Sequence, residues 1–182
     1  CLCMLVGVIL SGCGQNAPSS ELIVHQKVVY ILGSEPGNID PHVSSEDDTA
    51  IINRQIYDTL VYRNSSTQEI VPGLASQWTV SEDGIVYSFA LRQGVLFHDG
   101  TDFNAQAVAL NFDRIMDITE PTAKALMLIK PFYAGYSIVG EYTIQIRLNQ
   151  PYAPFLDVLS QSYFGMASPT AFQQYSQDRY QF

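Results

Sequence analysis

Hydrophobic and polar positions change period several times along this chain, and each change marks an element. The run "KVVYIL" (27–32) is β-branched and aromatic and is closed by "GSEPGN", which predicts a buried strand entering a loop. "IDPHVSSEDD" continues that loop. Asp48 or Thr49 is then placed to cap a helix in which Ile51, Ile52, Ile56, Leu60 and Val61 recur at helical spacing, out to about Tyr62. After the turn-rich "RNSSTQEIVPG", alternation in "SQWTVSEDGIVYSFALRQ" predicts two strands joined at Glu82-Asp83-Gly84, with Tyr87, Phe89 and Leu91 on one face. Val95 and Phe97 continue a strand ending at Asp99-Gly100. Asn104 caps a helix with Val108, Phe112 and Ile115 along one side and Asn111 and Asp113 facing elsewhere. A polar, Pro-containing passage leads to Tyr142, Ile144, Ile146 and Leu148, which alternate with Thr143, Gln145 and Arg147 as in a half-buried strand. "FLDVLSQ" reads as a short helix, and Ser168-Pro169 opens another as cap and first helical residue. Helices and strands interleave, so the fold class is α/β, of mixed α+β type.

Composition adds a size and a sign. The 182 residues suit one sizeable core, or one domain with part of a second. Only 15% are charged, against about 25% in ordinary soluble domains, so the interior is expected to be large. The net charge is −9, every charged residue lies at or after Glu21, and no basic stripe interrupts the acidity, which argues against nucleic acid as a partner.

The three cysteines, Cys1, Cys3 and Cys13, all fall in the first stretch of chain, so the body that follows offers neither an internal disulfide nor a cysteine metal site. There "CLCMLVGVIL" is apolar and uncharged, "LSGC" places small residues before a cysteine, and "GQNAPSS" is a polar tether. That order is a secretory leader, a cleavage site and a linker, and the apolar run is about half the ~20 residues that span a bilayer. Leu10-Ser11-Gly12-Cys13 resembles the bacterial lipobox. The resemblance implies that residues 1–12 are a truncated lipoprotein signal peptide, that Cys13 carries the lipid, and that 13–26 form the tether.

Catalytic chemistry finds little support. In "RQGVLFHDG" the neighbours His98 and Asp99 would point to opposite sides of a strand and could not orient one another, whereas Asp-Gly is turn chemistry. Arg92 reads as a surface or structural charge. The chain has no Gly-x-Ser-x-Gly elbow, phosphate loop, Gly-x-Gly-x-x-Gly or His-Glu-x-x-His. His25, His42 and His98 lack metal-ligand spacing, and Met116, Met127 and Met166 read as dispersed core fillers. Neither a catalytic residue, a metal nor a cofactor is expected.

The stretch 74–116, "LASQWTVSEDGIVYSFALRQGVLFHDGTDFNAQAVALNFDRIM", resembles the signature region of the family 5 extracellular solute-binding proteins, the peptide and nickel binders of ABC importers. The Leu-Ala-x-x-Trp opening, Ser81-Glu82-Asp83-Gly84, the Phe-x-Leu-Arg strand, Phe97-His98-Asp99-Gly100 and the capped helix after them match in order. "GSEPGNIDPHVSSEDD", "IYDTLV" and "IVPGLA" upstream, and "EYTIQIRLNQPYAPFLDVLS" and "MASPTAF" downstream, extend the likeness over about 27–175. The departures are Asn104, where the family often has Thr, and Gln106 and Ala107, where it usually has acidic residues.

The resemblance implies a two-lobed fold of the periplasmic-binding-protein type II kind with an accessory domain, of which only the N-terminal part is present. It assigns 27–62 to the first segment of lobe I, 63–160 to an accessory α/β domain inserted in it, and 161–182 to the incomplete return. It also implies an extracytoplasmic, lipid-anchored monomer that captures a peptide or similar small solute and delivers it to ABC permease subunits. Within the family the solute ranges over dipeptides, longer peptides, nickel complexes, haem and sugars. The loop Ser44-Ser45-Glu46-Asp47 matches a region that lines the ligand cavity of the peptide binders, so one or more of these four is expected to touch solute, with Tyr163 a further candidate near the return. The alternative for the loop is a solvated acidic cap on the next helix. Rival functions are a sensory or chaperone-like peptide-binding lipoprotein without transport, or a secreted hydrolase, for which no nucleophile and base are found.

Overall fold

Asp83-Gly84 turns the chain as the pattern predicts. Gly84 takes a φ of +70°, a backbone shape that costs glycine least, and its N–H closes the turn on the carbonyl of Ser81 at 2.8 Å. The strands on either side, β3 (Ala75–Val80) and β4 (Val86–Leu91), pair antiparallel with Trp78 opposite Phe89. The computed structural model describes residues 29, 31–33, 35, 38–44 and 46–174. Those from Leu32 onward belong to one compact unit; of the preceding unit, Cys1–Ile31, only Val29 and Ile31 are described, and both are exposed and outside any strand. The buried strand expected over 27–32 is therefore not found at these two residues: an apolar run signals a wish for burial but does not supply the ladder that would bury it.

The main sheet is four-stranded in the order β3-β4-β6-β5, antiparallel throughout, with β5 at Tyr133–Gly140 and β6 at Thr143–Leu148. Tyr87 pairs with Ile146 and Phe89 with Ile144, so the buried residues of the two central strands share one face. Against that face lies α2 (Ala105–Asp117), with Val108, Phe112 and Ile115 wholly buried. Asn104 caps α2 as expected, accepting the N–H of Ala107 at 3.0 Å. The opposite face is polar, with Gln145 donating to Ser88 at 2.9 Å, which is the ordinary economy of an antiparallel sheet wet on one side. Tyr87 packs edge-on against Phe155 at 4.7 Å, bringing α4 (Phe155–Leu159) to the same core.

Several expectations need correction. Helix α1 is Asp47–Ile56 and stops six residues before Tyr62. Tyr57 is extended, and Val61 leaves the helical stripe for a two-stranded ladder of β1 (Val61–Arg63) with β2 (Ile70–Pro72), with Leu60 just before it; both are buried. Burial alone could not tell a last helical turn from a short strand. The cap of α1 is Glu46, without a side-chain cap bond, and Asp48 lies inside the first turn with Asp47. Val95 and Phe97 form no strand; Leu96 makes one isolated bridge to Asp102 around the turn at 97–100. Met127 is exposed, so of the three methionines read as core fillers only Met166 is fully buried, with Met116 at the core's edge. The polar passage before Tyr142 hides α3 (Lys124–Ile129) and β5, an edge strand with two register shifts that erase its alternation.

Candidate functional site

The loop that leads into α1 crosses the molecule to reach residues far along the chain. Asp40 is fully buried and takes both arms of the Arg114 guanidinium from α2, one of them Nη1 to Oδ1 at 2.9 Å. The same Nη1 lies 2.9 Å from Nδ1 of His42, whose Nε2 lies 3.0 Å from the carbonyl oxygen of Gly165. Phe172 of α5 (Pro169–Gln174) lies beneath the guanidinium, with Cζ 4.5 Å from the ring centre. Burial, and secondarily the Arg114 charge, lower the His42 pKa from 6.5 to about 4, so this imidazole is neutral. A buried ion pair that is bidentate and has its remaining capacity satisfied fixes geometry more than it adds stability. Here it ties the loop 38–44 to α2, while the His42 contact with Gly165 ties the same loop to the end of the 3-10 turn Ser162–Phe164.

Two of the expected contact residues meet in that arrangement. Asp47, in the first turn of α1, and Tyr163, in the 3-10 turn, both bind Lys124 of α3: the ammonium donates to Asp47 Oδ1 at 2.8 Å and to the Tyr163 hydroxyl at 2.9 Å. The hydroxyl in turn donates to Asp47 Oδ1 at 3.4 Å, and the ammonium stands 5.0 Å from the centre of the phenol ring. Tyr163 is buried, while the Asp47 side chain is 93% exposed and that of Lys124 35%. The Lys124 bond holds the Asp47 carboxyl below its usual range, and the same bond raises the lysine, so both stay charged at neutral pH.

Of the other expected residues, Ser44 is buried and its hydroxyl has no partner. Glu46 is exposed and accepts a 3.4 Å bond from Thr49. Ser45 and Cys13 lie outside the described residues. Sequence reasoning missed Lys124, a lone cation in a passage without visible period, and it weighed His42 only as a metal ligand. Asp40 and Arg114 carried no local signal at all.

The "FHDG" turn lines a separate cleft of about 260 Å³ between it and Tyr57, Asp58 and Met166–Ser168. Asp99 accepts from the backbone and hydroxyl of Thr101 and from Ser168, whereas His98 is exposed. Arg92 is structural, donating from Nε to the Gly73 carbonyl at 2.6 Å.

The chain belongs to the bacterial extracellular solute-binding proteins, family 5, whose middle-region model matches residues 69–180. Among individual relatives, the glutathione-binding protein GsiB of Shigella flexneri is 31% identical over 172 residues, covering 94% of this chain and 33% of the relative. The periplasmic binding protein DppA from Helicobacter pylori, solved with the peptide STSA, superposes with a TM-score of 0.70 at 30% identity over 80% of this chain and 31% of its own. NikA from Brucella suis, solved with Fe(III)-EDTA, gives a TM-score of 0.66 at 32% identity over 74% of this chain and 26% of its own. The chain thus spans about a third of the length of the curated relatives it matches.

Proposed function

We propose that the protein is the extracytoplasmic solute-binding component of an ABC importer, capturing a peptide or similar small solute and presenting it to permease subunits in the membrane, without catalysing a reaction. The observation that carries this reading is the family match over 69–180, joined to relatives that bind glutathione and a peptide. Binding favours closure of two lobes, so affinity includes the difference in closure energy between free and bound states. The assignment of 27–62 and 161–182 to lobe I and of 63–160 to an accessory domain is supported by the packing of α1 on the 3-10 turn, which brings the two outer segments together. In this reading Cys13 carries a lipid that anchors an otherwise monomeric protein at the outer side of the cytoplasmic membrane.

The test is mass spectrometry of the solute released on denaturing the full-length protein purified from its own cells, with uptake of that solute measured with and without the adjacent permease. A peptide-sized solute whose uptake needs both proteins is expected; uptake that is unchanged when the binding protein is deleted refutes transport. Fractionation of wild type and Cys13→Ser should find only the wild type in membranes, and equal solubility refutes the anchor.

A further inference from the structure

The charged pair at the start of α1 is fixed more firmly than a surface pair requires. Lys124 is held by groups from two other elements, Asp47 of α1 and the buried Tyr163. An exposed ion pair contributes little to stability because solvent screens it, and ordering a lysine side chain costs rotamer entropy, so stability does not account for the arrangement. Both members retain unused capacity. The bonds to Asp47 from Lys124 and Tyr163 both fall on Oδ1, leaving Oδ2 on a carboxylate that is 93% exposed. Of the three ammonium hydrogens, Asp47 and Tyr163 take two. The hydroxyl of Ser44, buried and without a partner, lies three residues ahead of Asp47 on the same loop.

Charge decides what such a pair can receive. A simple anion attracted to Lys124 is repelled by Asp47, and a simple cation meets the reverse. A ligand with both charges side by side satisfies both at once, and because Nζ and Oδ1 are 2.8 Å apart its own charges must be neighbours too. An ammonium and a carboxylate on one carbon meet that requirement. The end of an α-linked peptide does not, since its terminal amino group and terminal carboxylate sit on different residues.

We propose that Lys124 and Asp47, with Tyr163 holding the lysine, receive a free α-amino-acid head of the solute, its carboxylate on Lys124 and its ammonium on Asp47 Oδ2. The favoured solutes are amino acids or conjugates linked through the amino acid's side chain. This rests on the solute-binding reading above.

Titration calorimetry of the full-length protein with three probes tests it: γ-glutamylalanine, 4-aminobutyrylalanine, which lacks the head carboxylate, and glutarylalanine, which lacks the head ammonium. A hydrogen bond to a charged group supports about a tenfold preference. The wild type should therefore bind γ-glutamylalanine about tenfold tighter than either analogue. Lys124→Met should remove the preference over 4-aminobutyrylalanine and leave affinity for that analogue unchanged; Asp47→Asn should do the same with glutarylalanine. Thermal melts of both variants serve as the folding control. Equal binding of the three probes by the wild type, or γ-glutamylalanine affinity within twofold in Lys124→Met, overturns the proposal. Failure to bind any probe while a solute without an amino-acid head is released on denaturation overturns it and leaves solute binding intact. Failure to bind any probe with no solute released overturns both.

Discussion

His42 Nε2 stands 3.0 Å from the carbonyl oxygen of Gly165 while its Nδ1 faces the Arg114 guanidinium at 2.9 Å. An arginine only donates, so Nδ1 must be bare and Nε2 must carry the hydrogen given to Gly165. Protonation would set a second N–H against the guanidinium, and burial adds to that cost. Asp40, which is bonded to the same guanidinium, opposes the shift without reversing it.

This relationship fixes the sign of a pH effect. An unfolded histidine takes up its proton near pH 6.5 and the folded one only near 4, so between these values the unfolded chain binds more protons. Stability is complete above about pH 6.5 and falls as the pH drops toward 4. Urea unfolding of the full-length protein should lose roughly 2 kcal/mol between pH 7 and 4.5. The exposed carboxylates Asp47, Asp83 and Asp99, held below the usual range by their partners, lose their contributions only at lower pH, as they protonate. His42→Gln should flatten the upper window. The same slope in wild type and variant would place its origin elsewhere.

Much of the fold was legible where its cause is local. Asp83-Gly84 had to turn, Asn104 had to cap, and Ile144, Ile146 and Leu148 had to share a face, because each effect acts within a few residues. The strut was not legible: Asp40 and Arg114 are 74 positions apart, and nothing in either neighbourhood marks the other. Asp47 and Tyr163 were singled out through a family likeness, but their link through Lys124 depends on three elements whose packing no periodicity encodes. Asn111 was misread for a different reason. It lies one turn beyond Val108 on the buried face of α2, and a polar residue is taken to face outward unless the backbone it serves is known.

Asn111 serves the backbone of Ala167. Its amide nitrogen donates to the Ala167 carbonyl at 2.9 Å and to Ala107 at 2.8 Å, and its oxygen accepts the Ala167 N–H at 2.9 Å. Asn111→Leu keeps the volume but strands a buried donor and acceptor, each costing about 1–3 kcal/mol. A loss of roughly 2–4 kcal/mol in unfolding free energy is expected, read as a lower urea midpoint at unchanged slope. Asn111→Asp should do no better, because the second carboxylate oxygen would face two carbonyls. A neutral Asn111→Leu would show that these bonds add nothing to the fold.

The two neighbours of "FHDG" should separate cleanly on mutation. Asp99 accepts from Thr101 and from the Ser168 hydroxyl, and Ser168 in turn accepts the N–H of Thr170 at 3.2 Å at the start of α5. Removing the Asp99 carboxylate takes one partner from Ser168 and loosens the turn at both ends, so Asp99→Ala should lower the melting temperature measurably. His98 is exposed at the rim of the cleft. His98→Ala should therefore stay within about 0.5 kcal/mol of wild type and leave affinity for the co-purifying solute unchanged by calorimetry. If His98→Ala instead weakens solute binding while its melting curve is unmoved, the imidazole is a ligand contact and the cleft it borders belongs to the solute site.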